Sequence, residues 1–225
     1  MKKILAAGLL LAPFTVAMAQ SSVSLYGVVD AAVRRTNNEG SGNNIGMSQT
    51  QMIGGGMSQS RWGINVEEDL GGGSKALAFL ENRFDADAGN SAIGAPFFQL
   101  SYVGLQGPYG RLTAGRQWNV LFDLVTSTYA SFPYSPYMEA FKPEIGMSMG
   151  SRSNNMLKYT AEYGPFRGSL QYSMDEGNTV DALGATAAAA GAFKTAGGYL
   201  RYSANGISAG AGYLNTTLPG GTKVD

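Results

Sequence analysis

Apolar and polar side chains alternate with a period of two along much of this chain. From Phe166 to Met174, the residues Phe166, Gly168, Leu170, Tyr172 and Met174 fall on one side and Arg167, Ser169, Gln171 and Ser173 on the other. Leu157, Tyr159, Ala161 and Tyr163 alternate with Lys158, Thr160 and Glu162 in the same way, and Trp62, Ile64 and Val66 with Arg61, Asn65 and Glu67. Ile207, Ala209, Ala211 and Tyr213 stand opposite Ser208, Gly210 and Gly212. Successive side chains of a strand point to opposite faces, so this pattern predicts two-faced β-strands. Nine are expected, at 22–34, 57–69, 74–84, 97–106, 110–118, 153–163, 166–174, 194–203 and 206–215.

The connections between them alternate in length. Tight turns are expected at Gly71-Gly72-Gly73, Gly107-Pro108-Tyr109, Gly164-Pro165 and Ala204-Asn205-Gly206, and long polar or glycine-rich loops at 36–56, 85–96, 119–152 and 175–193. Short turns at one end and long loops at the other predict an all-β fold, a transmembrane antiparallel β-barrel. A secreted β-sandwich would not sort its loops in this way.

Composition narrows the compartment. Only 14% of residues are charged, against about 25% in soluble domains, yet mean hydropathy is just −0.08 and no run after the N-terminus is long enough for a spanning helix. A chain of this kind enters a membrane as strands, whose N–H and C=O groups must all pair internally. At the N-terminus, Lys2 and Lys3 precede an apolar run from Ile4 to Leu11 and an Ala17-Met18-Ala19 cleavage pattern. Residues 1–19 therefore read as a signal peptide, the run being shorter than the ~20 residues of a spanning helix, and residues 20–225 as one exported domain. The absence of cysteine suits passage through an oxidising periplasm.

With no histidine and no cysteine, a Ser-His-Asp triad, a Cys-His pair and an H-E-x-x-H zinc site are excluded. A barrel enzyme would lack its usual general base. No catalytic residue, metal or cofactor is expected, and no basic stripe suggests nucleic acid. Gly54-Gly55-Gly56 lacks the strand-to-helix context of a phosphate loop.

Several ordered segments resemble one family. Ser22-Val23-Ser24-Leu25-Tyr26-Gly27-Val28-Val29-Asp30, the stretch from Ser60 to Gly73 (SRWGINVEEDLGGG), Leu80-Glu81-Asn82-Arg83-Phe84, Tyr102-Val103-Gly104-Leu105, Leu112-Thr113-Ala114-Gly115-Arg116-Gln117 and Asn154-Asn155-Met156-Leu157-Lys158-Tyr159-Thr160 are similar, in order, to the Gram-negative general porins, nearest their β-proteobacterial branch. The resemblance implies a trimeric, 16-stranded barrel in the outer membrane, surrounded by lipid, through which ions and small hydrophilic solutes diffuse passively. The nine strands would be its N-terminal part. Lys223-Val224-Asp225 falls where the next long loop belongs, without a terminal aromatic strand, so a larger barrel is expected.

The family's layout also implies a site. Its third long loop folds into the lumen and faces a ladder of wall arginines. By motif match Arg61, Arg116 and Arg152 are wall positions, with Arg83, beside Glu81, as a fourth. Glu139, Glu144 and Asp123 supply the loop's acids, and Asp30 on the first strand should face the lumen. The loop over 119–150 is long for an idle connection, and its Phe132-Pro133-Tyr134, Tyr137 and Phe141 need a surface to pack on. More arginines than acids suggest a mild anion preference. Arg116, however, shares its parity with Leu112 and Ala114, which should point outward. Either a bulge near Gly115 resets the alternation or Arg116 lies past the regular strand. Any single arginine could instead sit on a solvated strand face, and Glu139 and Glu144 at a solvated loop tip. Tyr134, Tyr137 and Phe141 would equally suit the aromatic slide of a substrate-specific sugar channel, and an adhesin-type barrel is the remaining alternative.

Overall fold

The computed structural model describes residues 21–39, 46–91, 96–128, 151–174, 194–217 and 223–224. Residues 1–19, Glu139, Glu144 and the loop aromatics Phe132, Tyr134, Tyr137 and Phe141 lie outside the described residues. The strands are β1 (Ser21–Val28), β2 (Ala31–Glu39), β3 (Met47–Gly54), β4 (Arg61–Gly71), β5 (Ser74–Arg83), β6 (Phe98–Gly107), β7 (Gly110–Trp118), β8 (Arg152–Tyr163), β9 (Phe166–Ser173), β10 (Lys194–Ala204), β11 (Ile207–Thr217) and β12 (Lys223–Val224). Between β7 and β8 comes one helix, α1 (Val120–Thr128). Ten strands form a single sheet in the order β1-β4-β5-β6-β7-β8-β9-β10-β11-β12, and β2 and β3 form a separate pair. Every pairing is antiparallel. Among the described residues the large sheet is open, with β1 and β12 at its edges.

The nine long strands of this sheet, β1 and β4–β11, are the nine that alternation predicts. Two boundaries and one loop need correction, and Lys223–Val224, expected within a long loop, pairs with β11 as β12. The strand expected over 22–34 ends at Val28, and the one expected over 57–69 starts at Arg61. The first long connection is not irregular but contains the β2–β3 hairpin. Asp30 explains the break. Its carboxylate accepts the backbone N–H groups of Gly56 (2.8 Å), Met57 (3.0 Å) and Ser58 (2.9 Å). Its backbone N–H donates to Ser60 Oγ, whose hydroxyl donates back to Asp30 O, and Gly55 N–H donates to the same carbonyl. The chain is thus tied off where β1 leaves the sheet and where β4 is about to enter it. Apolar residues recur at Val29, Ala31 and Val33 across this knot, so alternation alone carries the first strand straight through it.

The backbone N–H groups of Ser58, Met57 and Gly56 hold the Asp30 carboxyl below its ordinary pKa. A depressed carboxylate contributes stability above its unfolded-state pKa and loses it as pH falls through the folded-state value. Cleavage of the β2–β3 hairpin by an acid-active protease should therefore be unchanged from neutral pH down to the ordinary carboxylate range and accelerate only below it. Asp30→Ala should abolish that threshold and leave the hairpin cleavable throughout.

Cross-strand registers assign the two faces of the sheet. Leu112, Tyr159 and Leu170 stand in one row, each opposite the next, and Thr113, Lys158 and Gln171 in the neighbouring row on the other face. The first face is apolar and exposed, with Val23, Leu25, Val103, Leu105, Leu170, Leu200 and Tyr213 each more than half accessible. The second is polar and packed, with Glu81, Thr113, Gln117, Lys158, Thr160, Ser169, Gln171 and Thr195 all buried. This inverts the order of a water-soluble sheet and matches a barrel wall with an apolar outside and a polar inside.

α1 lies on the polar face. Asn119 starts it, its side-chain oxygen accepting the Phe122 N–H at 2.8 Å, the usual capping bond for an otherwise unpaired first-turn donor. The neighbouring free donor, Val120 N–H, is taken by Gln171 Oε1 of β9 at 2.6 Å. The long connection after β7, expected as a loop folded inward, thus begins as a helix seated on the wall.

Candidate pore-lining site

Arg61 and Arg83 stand directly opposite each other across β4 and β5. Like charges so placed repel, and Glu81 separates them. Arg61 Nε lies 3.6 Å from Glu81 Oε2 and Arg83 Nε 3.7 Å from Glu81 Oε1. Tyr26 on β1 donates its hydroxyl to Glu81 Oε2 at 2.9 Å, and Arg61 Nη1 also donates to Ser58 Oγ and Gln59 O. Ser58 connects this group to Asp30, which accepts its N–H. One fully buried carboxylate therefore holds two arginines at the long-loop end of the wall.

Trp118 extends the group across β7. The Arg152 guanidinium carbon lies 3.6 Å from the centroid of the indole and that of Arg83 5.5 Å from it. Phe122 of α1 stacks on the same indole at 4.1 Å between centroids and 17° between planes. Cations over an indole face are held by the ring quadrupole, so an aromatic of the inward helix and two arginines of the wall share one ring.

Arg116 lies beside a bulge. The β7–β8 register passes from Gly115↔Met156 to Gln117↔Ser153, three steps on β8 against two on β7. The extra residue belongs to β8, at Asn154-Asn155, where Asn155 adopts φ 46°. The bulge thus belongs to the neighbouring strand and does not reset the alternation of β7, and Arg116 lies within that strand, so neither expected resolution of the parity conflict holds. Along β7 the register with β6 continues unbroken through Tyr102↔Gly115 and Ser101↔Arg116, so Arg116 keeps the parity of Leu112 and Ala114. It is half-buried, and its Nη1 donates to Asn154 Oδ1 within the bulge.

Three contacts fasten α1 to the far side of the polar face. Lys158 of β8 pairs with Asp123 at 2.6 Å and also donates to Trp118 O at 2.8 Å. Arg201 of β10 donates to Ser127 O near the helix end. On β11, Gly210 and Gly212 leave space for helix leucines. A Cβ at Gly210 would lie 2.6 Å from Leu124 Cδ1 and 3.0 Å from Leu200 O, and one at Gly212 3.2 Å from Leu121 Cδ2. Gly210→Val should therefore cost about 1–3 kcal/mol, the usual penalty for overpacking, and Leu124→Ala in the same chain should restore most of it. Unfolding midpoints of the single and double variants check this.

The structure brings Arg61 and Arg83 together through Glu81, and Arg83 and Arg152 through Trp118. Asp123 faces Lys158, Arg116 is tied to Asn154, and Asp30 binds the backbone at the end of β1. Sequence reasoning left out Arg111, Lys158, Arg167 and Arg201, which the registers place on the polar face. Alternation already sets Lys158 and Arg167 on the polar side, and the same rule applied to β7 and β10 places Arg111 and Arg201 there. The role of Glu81 as a shared counter-ion needed three-dimensional structure.

A strand wall apolar outside and polar inside, with a helix turned inward onto arginines, defines an outer-membrane barrel protein. Residues 5–225 match the Gram-negative porin family, and the chain belongs to that family. It is 35% identical over 233 residues to outer membrane porin protein 32 of Delftia acidovorans, an alignment covering 100% of this chain and 63% of that one. It is 36% identical over 191 residues to an outer membrane porin of Bordetella pertussis, covering 77% of this chain and 48% of the other. Among solved structures, an anion-selective porin from Comamonas acidovorans superposes with a TM-score of 0.68 at 31% identity, covering 88% of this chain and 58% of that one. The chain thus spans roughly half to two thirds of the length of these relatives.

Proposed function

We propose that the protein acts as a general diffusion channel of the outer membrane, passing ions and small hydrophilic solutes passively as a homotrimer. The observation that carries this reading is the convergence of Arg61, Arg83, Arg152 and the inward helix on Glu81 and Trp118. A water-filled lumen spares solutes their dehydration, and fixed charge at a narrow point biases which ions pass. Arg61, Arg83 and Arg152 from the wall, with Glu139, Glu144 and Asp123 from the inward segment, would make that point, with Asp30 beside it; Arg116, on the parity of the apolar face, is not part of it. The surplus of cations on the polar face favours anions, in keeping with the anion-selective porin that the wall resembles. No step needs a catalyst, and the lack of histidine and cysteine agrees with a conduit rather than an enzyme.

Protein extracted from outer membranes and reconstituted in planar bilayers tests this. Steady conductance that rises with salt, resists block by sugars and reverses on the chloride side is expected, from a species that runs as a trimer on unheated gels. Saturable block by one sugar would replace the reading with a substrate-specific channel. Outer-membrane protein without conductance would favour an adhesin.

A further inference from the structure

We propose that the polar face carries a second anion site, at the short-turn end of the sheet, built by Arg111 and Arg167 with Arg201 in the neighbouring position, and suited to a small doubly charged oxyanion, a phosphate or a dicarboxylate. The inference rests on the reading of this face as a water-filled lumen, and it concerns residues distant from the arginines at the long-loop end.

A cavity of about 430 Å³ opens beside the turn that joins β6 to β7. Gln106, Arg111, Thr160, Glu162 and Arg167 line it. The registers place Gln106, Arg111 and Thr160 in one cross-strand row, and Glu162, Arg167 and Arg201 in the next row towards the turns. Arg111 and Arg167 are then two strands and two residues apart, roughly 12 Å between backbones at ordinary strand spacings. Two arginine side chains can close on one small ion across that gap.

Charge at this end is not cancelled. Among the described residues, the Arg111 side chain has no hydrogen bond or ion pair. Arg167 has Glu162 at 3.3 Å, but that glutamate side chain is 65% exposed, so the pair is solvent-screened and weak. The Arg167 Nε is buried without an acceptor among the described residues. Arg201 donates to Ser127 O, a neutral carbonyl that leaves its charge intact. At the cavity two guanidinium groups thus share one exposed carboxylate, with a third, Arg201, opposite Arg167. A dianion restores the balance, and the planar fork of arginine suits the paired oxygens of a phosphate or carboxylate. Lys158, in the next row inward from Arg111, is already paired with Asp123 and adds no uncompensated charge, and a site in a passage must bind weakly enough to release its anion.

The test uses protein extracted from outer membranes, in detergent at low ionic strength, where charge is least screened. Inorganic phosphate and succinate are titrated by calorimetry, and chloride conductance in bilayers is recorded with and without each. Saturable binding of at least one probe, together with partial block of chloride current by it, is expected. Arg111→Ala should weaken that binding about tenfold, the low end for a hydrogen bond to a charged group, and Arg111→Lys should recover part of it. Arg35→Ala, on the outlying hairpin, should change nothing. Saturable binding that Arg111→Ala leaves intact would overturn the site, as would the absence of binding by both probes. If chloride current persists in that case, the channel reading stands and this inference alone fails. If no current is found while phosphate binding depends on Arg111, the site stands and the channel reading fails.

Discussion

Glu81→Gln should destabilise the protein by about 3–5 kcal/mol, the loss that follows when one partner of a buried ion pair is removed, and should shift ion selectivity further towards anions. The carboxylate has no exposed surface, and the Arg61 and Arg83 side chains are only 12% and 10% exposed. Glutamine keeps the volume and still accepts the Tyr26 hydroxyl, so the change isolates charge. Without the anion, two guanidinium groups face each other across a strand pair and lose the carboxylate that offsets their repulsion. In the proposed channel, the narrow end also gains one net positive charge. Both effects have one cause, so both should be partly reversed by Glu81→Gln with Arg83→Gln, which removes the repelling partner. Guanidinium unfolding of the protein in detergent gives the first quantity and reversal potential under a salt gradient the second. A Glu81→Gln protein as stable as its parent, with an unchanged reversal potential, would show that Glu81 does not neutralise this pair.

The strands were legible in the sequence because one physical rule writes them. Where one side of a strand meets an apolar environment and the other a polar one, composition alternates. Phe166, Leu170 and Tyr172 against Arg167, Gln171 and Ser173 fix both the strand and its inward face. The rule fails where both faces are alike. Arg34, Arg35, Thr36 and Asn37 on β2, and Ser48, Gln49, Thr50 and Gln51 on β3, form a hairpin outside the main sheet with no buried side, so no period marks it. α1 was hidden for a different reason. It is held by Gln171, Lys158, Arg201 and the space over Gly210, contacts that come from strands 30 or more residues away in sequence. Motif order located Arg61, Arg83 and Arg152. Neither motif nor parity could show that Trp118 lies between the last two, because that depends on how the ends of three strands approach one another.

Leu25→Arg and Ser24→Arg, neighbours on β1 that face opposite ways, should differ sharply. Leu25 is 74% exposed on the apolar face, in register with Ile64, while Ser24 pairs with Asn65 on the polar one. Both sites are open, so a sheet in water would accept arginine at either with a change of about 0.5 kcal/mol or less. In a bilayer the two environments separate. Arginine on the lipid side near mid-depth costs about 2–4 kcal/mol, because no water is available to its guanidinium or to its partners there. At Ser24 the same side chain would extend into the aqueous passage, where its cost is only that of a crowded strand and its added charge would raise anion preference. Unfolding of the two variants in lipid vesicles measures the difference directly, and the same pair in detergent should show a smaller gap, since micelles deform around a charge. Equal stabilities in vesicles would mean that the exposed leucines and tyrosines of this sheet face something other than lipid. The arginines on the opposite face could not then be lining a pore. An unequal pair with the larger loss at Leu25 fixes which side of every strand is wet, because the registers carry the assignment from β1 across the whole wall.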